Sequence, residues 1–330
     1  ALWPALAAAG IAAAAGLNAL PLSKARYSTT QDYGLFWLNQ VFVIVMNAFS
    51  MGAFVLVLWM VGQWLSRRVW PREDRILARR GDRWRHLARS GWRGLMLSWM
   101  SGGYLVLFYI VATEVLGGWR PMSPDYTSAY ATPLPFLGAL RSGLVPALTE
   151  ELLWRLLLIA GLLWLTHTFT GLSKGVRVGL ALLIPGALWG FAHANYVRDP
   201  IYFRGIELTI AAVVFDGLFF LNFDLVTTMV AHFAFNAGLG ALPLLRSGDP
   251  YFIGSGIVVL LVMVAPMIPY AVTVMLRRIR GEARDEVEPW IVPAKSRDLE
   301  ALRALSVSDV DWEALLTDPD VAVFCLQAGD

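Results

Sequence analysis

One cysteine, Cys325, stands in a chain of 330 residues. A lone thiol excludes an internal disulfide framework and any cysteine-based metal site within one chain. Histidine is nearly as scarce, with His86, His167, His193 and His232 making up the whole set. Charge is sparse as well, since only 16% of residues are Asp, Glu, Lys or Arg. The sequence has no nucleotide-binding loop, no zinc-finger spacing and no internal repeat, so neither a nucleic-acid partner nor a cofactor is expected.

Apolar residues fill the space that charge leaves. The chain is 57% hydrophobic with a mean hydropathy of +0.56, too apolar for a soluble domain of this length. The expected fold is an all-α polytopic membrane bundle of eight transmembrane helices. The apolar runs place them at residues 3–22, 35–65, 94–118, 146–168, 176–194, 206–221, 224–243 and 253–276. The first run reads as a span rather than a cleaved signal peptide, because no basic stretch precedes it. Residues 119–134 read as a Pro/Gly/Ser/Tyr-rich connector, and 135–145 as an interfacial or re-entrant helix. These expectations divide the chain into N-terminal transmembrane helices (1–132), a membrane core (133–276) and a tail (277–330).

The charges that do occur are unevenly placed. From Arg67 to Arg93 the chain carries ten arginines against Glu73, Asp74 and Asp82, a loop that belongs in the cytoplasm. Residues 281–330 hold 12 acids and 4 bases. This acidic tail, with amphipathic pieces at 299–305 and 312–316, is expected to be a cytoplasmic appendage with a docking partner. Eight spans then put both termini inside, in a bacterial or archaeal plasma membrane. The same count sets Glu150 and His193 towards the non-cytoplasmic leaflet.

Three ionisable residues interrupt the fourth run: Glu150, Glu151 and Arg155. A charge near the bilayer centre costs about 2.5–3.5 kcal/mol on insertion scales, so such residues are rarely idle. Glu151 and Arg155 lie four apart on one helical face, acid before base, and neutralise each other. Glu150 points about 100° away and has no local partner. Trp189 and His193 share one face at the end of the fifth run, and His232 and Asn236 share one face of the seventh. Polar groups on three separate helices satisfy each other in lipid only by converging. A carboxylate and a neutral imidazole can hold a water and take its proton. A second imidazole and a carboxamide can donate to the oxygen that turns negative as water adds to an amide.

Glu-Glu-x-x-x-Arg, aromatic-x-x-x-His and His-x-x-x-Asn, each in its own span, resemble the CAAX prenyl protease and bacteriocin-processing family (CPBP, or ABI). The likeness covers residues 133–243. It implies a glutamate-dependent intramembrane endopeptidase acting on a membrane-embedded or lipidated substrate. By the same resemblance Glu150 and His193 activate water, His232 and Asn236 form the oxyanion site, and Glu151, Arg155 and Trp189 support them. Trp189 departs from the family's usual Phe, and is read as an equivalent apolar wall.

Two other classes compete. A zinc protease would use Glu and two His as ligands, but His-Glu-x-x-His is missing. A scaffold, immunity factor or proton-coupled transporter would use the same buried polar residues, with Glu114, Glu207, Asp216 and Asn222 extending a relay. Asp216 alone reads more simply as a helix–helix hydrogen bond. Lipid or pigment binding is a weaker third, because the 14 tryptophans and 17 phenylalanines fit interfacial belts and packing.

Overall fold

The computed structural model describes residues 2–71, 75–76, 83–119, 131–169, 171–194, 199–280, 290–293 and 324–327. Two compact units divide the chain, Ala1–Tyr270 and Ala271–Asp330. The long helices are α1 (Leu2–Arg26), α2 (Tyr33–Val69), α3 (Trp84–Val115), α4 (135–169), α5 (Lys174–Ala192), α6 (Tyr202–Asn222) and α7 (Leu225–Leu245), all in the first unit, and α8 (Pro250–Ile279), which begins in it and continues past Tyr270. All but α4 are long and apolar enough in themselves to cross a membrane. The protein is an all-α polytopic membrane bundle, as its hydropathy leads one to expect.

Helix starts follow from short polar side chains. Asp32, Ser173, Asp224 and Asp249 each accept a hydrogen bond from a backbone N–H in the first turn of α2, α5, α7 and α8. Asp224 is itself held by Ser90 Oγ of α3 at 2.7 Å, which ties the start of α7 to a neighbouring helix. The outward surface carries large apolar side chains such as Trp3, Phe42, Phe49, Trp99 and Leu107, as a lipid-facing surface requires.

The fourth helix differs from its expected form. Residues 135–145 are not a separate interfacial or re-entrant element but the first turns of α4, which continues unbroken to Phe169. Gly138, Gly143 and Pro146 look like helix breakers in sequence. Gly143 instead gives room for contact, because a Cβ there would lie 2.7 Å from the Phe233 carbonyl oxygen of α7. Gly190 does the same between α5 and α6, where a Cβ would meet the Gly205 carbonyl oxygen at 2.5 Å. These two approaches draw the polar helices together. Glu150 consequently lies midway along α4 and not near its start.

Between Glu151 and Ile159 the α4 backbone widens into π geometry, and α6 does likewise from Ala211 to Gly217. Such wide turns are rare and concentrate at functional sites. Leu152, Leu156 and Ile159 of the α4 segment pack against Val55, Leu182, Phe220 and Leu225. A second apolar cluster joins Ala139 and Ala147 of α4 to Phe233, Ala237 and Val259. Glu150 falls between the two clusters along α4.

The ends of the bundle are distinguishable. At one, Arg75 of the arginine-rich loop donates to the Leu221 carbonyl at 2.6 Å, and Leu225 N–H donates to the Arg75 carbonyl at 2.8 Å. At the other, Asn18 of α1 clasps Thr132 and both backbone groups of Leu134. Tyr251 donates to the Pro133 carbonyl there, and Trp119 and Asp199 exchange two backbone bonds.

In the second unit, β1 (Trp290–Pro293) pairs antiparallel with β2 (Phe324–Gln327), Trp290 opposite Gln327 and Val292 opposite Cys325. This small ribbon is an element not anticipated from the sequence of the tail. The amphipathic pieces at 299–305 and 312–316 lie outside the described residues.

Candidate active site

A cavity of about 1440 Å³ opens inside the first unit, and Glu150, Trp189, His193, His232 and Asn236 all line it. Three helices contribute: α4 gives Glu150, α5 gives Trp189 and ends at His193, and α7 gives His232 and Asn236. Thr132, Ser247 and Phe252 also line it, so it extends to the end of the bundle away from Arg75.

The two neighbouring glutamates have different surroundings. Glu151 is fully buried. One of its oxygens lies 2.8 Å from His232 Nδ1, and the other lies 3.3 Å from Arg155 Nε, so the expected i, i+4 ion pair is present. Arg155 goes on to donate from Nη2 to Asp216 of α6 at 2.6 Å. Asp216 therefore makes the helix–helix bond that its position suggests. It also completes a chain, His232–Glu151–Arg155–Asp216, across α7, α4 and α6. Two carboxylates, one guanidinium and one imidazole hold each other's charge where water is scarce.

Glu150 is half-buried and meets a single protein donor among the described residues, Trp189 Nε1 at 2.5 Å. The Trp189 carbonyl lies 2.7 Å from His193 Nδ1. A carbonyl only accepts, so Nδ1 is the donor and the neutral ring carries its lone pair on Nε2. His232 Nδ1 faces a Glu151 carboxylate oxygen and is the donor there, which leaves Nε2 as the remaining ring nitrogen. The Trp189 ring packs edge-on to both imidazoles, with centroids 5.2 Å from His193 and 6.1 Å from His232. Trp189 is thus a polar contact as well as the apolar wall its sequence position suggests. Asn236 reaches the cavity without a protein hydrogen-bond partner among the described residues.

A second polar cluster borders the same cavity. Arg204 donates from Nη1 to both Glu207 oxygens at 2.6 and 2.7 Å, and Tyr109 O–H adds a bond of 2.7 Å. No pattern in the chain pairs these residues beyond a base and an acid three apart on α6. Glu114 and Asn222 do not join Glu150: Glu114 is exposed beside Thr113, and Asn222 bonds its own helix at the Leu218 carbonyl. The four-residue relay imagined for a transporter is not assembled. Among the described residues, no group of three His, Cys, Asp or Glu side chains is arranged to hold a metal ion.

Fold and site together define a polytopic membrane protein with a large internal chamber whose wall includes glutamate, histidine and asparagine. Residues 132–238, which contain all seven of these motif positions, match the Rce1-like family, the type II CAAX prenyl endopeptidases. The sporulation-killing factor biosynthesis protein SkfC of Bacillus subtilis (strain 168) is 25% identical over 125 residues. That similarity covers 37% of this chain and 23% of the relative, so the chain spans under a quarter of SkfC. No solved structure matches. The resemblance to the CPBP family is borne out over this segment.

Proposed function

We propose that this protein is an intramembrane endopeptidase that hydrolyses a peptide bond in a membrane-embedded or lipidated substrate, with Glu150 as its base and without a metal. The observation that carries the reading is that one cavity is walled by Glu150, His193, His232 and Asn236. Glu150 takes a proton from a water held between its carboxylate and His193. The hydroxide adds to the scissile carbonyl, and the new oxyanion accepts from the Asn236 carboxamide and from Nε2–H of His232, which acts as an imidazolium with its Nδ1–H kept on Glu151. Collapse breaks the C–N bond, and the proton on Glu150 passes to the departing amine. The buried Glu151–Arg155–Asp216 chain holds His232 in register for this task.

The positive-inside rule sets the Arg67–Arg93 loop in the cytoplasm, with both termini inside. Because the cavity extends to the opposite end, the substrate enters from the non-cytoplasmic side of a bacterial or archaeal plasma membrane. A CaaX terminus presented from the cytoplasm does not fit that geometry. A lipophilic or bacteriocin-like peptide, in keeping with the name of the Bacillus relative, fits it better.

The test is a comparison of new N-termini in membranes carrying the wild type and the Glu150→Ala protein. Peptides cut only by the wild type identify the substrate. Identical sets overturn the enzyme reading and leave a scaffold.

A further inference from the structure

Trp189 meets four of the site's residues, Glu150, Arg155, His193 and His232. Its indole N–H donates to Glu150 Oε2 at 2.5 Å, and its carbonyl lies 2.7 Å from His193 Nδ1. Its ring lies 4.9 Å from the Arg155 guanidinium carbon and edge-on to both His193 and His232. The side chain is only 6% exposed, so the ring has little freedom to turn away. Behind it, Gly190 lets α5 sit against the α6 backbone, which fixes the depth at which the indole enters the chamber. A carboxylate has two oxygens and a rotatable stem. Without a donor, both oxygens would be equivalent and the group would swivel in the cavity.

From this arrangement we infer that Trp189 is a positioning residue, whose indole N–H locks the Glu150 carboxylate by one oxygen and presents the other, Oε1, to the water. The inference rests on the assignment of Glu150 as base and adds a role that a merely apolar wall cannot fill. The same residue sets the distance between the base and His193, because side chain and main chain of one position hold both partners. It also joins the Glu150 half of the site to the Arg155 half, through cation–π contact with the guanidinium. Misplacing a reacting group by about an ångström can cost on the order of 100-fold in rate. A single donor–acceptor pair therefore has leverage on turnover out of proportion to its size.

The decisive variant carries 3-benzothienylalanine at position 189, which keeps the shape of indole and replaces N–H with sulfur. Trp189→Phe is a second variant that also lacks the donor, and 7-azatryptophan is the control that keeps it. All are reconstituted in liposomes and assayed on a peptide found in the membrane comparison. Infrared difference spectra against Glu150→Gln isolate the Glu150 carboxylate band without any substrate. We expect the band to shift in both donor-free variants but not in the control. We expect kcat to fall about tenfold or more with KM little changed. An unshifted band, or a shifted band with wild-type kcat, overturns the positioning role. If Glu150→Gln itself cuts at the wild-type rate, the assignment of Glu150 as base fails instead, and the infrared band still decides whether the indole holds the carboxylate.

Discussion

Glu150 and Glu151 are neighbours in the chain, yet they occupy two different worlds inside the bundle. Glu151 is fully buried and bracketed by Arg155 and His232, and through Arg155 it reaches Asp216. Glu150 stands at the cavity wall with one indole donor. A closed ion network is expensive to assemble in a poorly solvated interior and more expensive to break. A carboxylate with a spare oxygen and an open space before it is free for chemistry. The contrast separates the acid that builds the site from the acid that works in it.

That comparison can be broken or sharpened by substitution, beginning with the largest effect. Glu150→Gln keeps an oxygen to accept from Trp189 but has no base, so it should fold normally and lose about 10³-fold or more in cleavage rate. Thermal unfolding and peptide turnover, measured on one preparation, would show the split. Arg155→Met should act in the opposite way, leaving Glu151 and Asp216 uncompensated and costing about 3–5 kcal/mol of stability. Loss of folded protein in detergent is the readout, and an unchanged melting point would show that the network is not structural. Asn236→Ala removes the proposed oxyanion donor and should lower kcat by about 10²–10³ with the fold intact. Tyr109→Phe tests the separate Arg204–Glu207 cluster. It should cost only about 1 kcal/mol of stability and leave turnover unaltered, because Arg204 still satisfies Glu207.

Sidedness bears on the same contrast, since only the working acid needs a route to water. With Cys325 replaced, a cysteine at the exposed Ser247, which lines the cavity, should react with an impermeant maleimide added outside intact cells. Labelling only after the membrane is opened would reverse the topology.

Much of the fold was legible because lipid imposes a simple code of apolar runs separated by basic or polar breaks. The three motif pairs were legible because helical spacing puts i and i+4 on one face, and the Glu151–Arg155 and His232–Asn236 positions follow that rule. The extent of α4 was not legible. Gly143 and Pro146 are read locally as breakers, whereas helix packing uses Gly143 as a point of contact with Phe233. The bond between Trp189 and Glu150 was hidden for a related reason. It depends on how α4 and α5 are rotated against each other, and the sequence of neither helix states that rotation. His232 paired with Glu151 escaped in the same way, because the partner lies 81 residues away on another helix.

The account is tested most directly by assaying purified wild type and Glu150→Gln side by side in liposomes, on one substrate peptide, after exhaustive chelation. It predicts that the chelated wild type cuts at its full rate while Glu150→Gln, equally well folded, leaves the peptide whole. Cleavage by Glu150→Gln at the wild-type rate, or a wild type silenced by the chelator and restored by zinc, would contradict it.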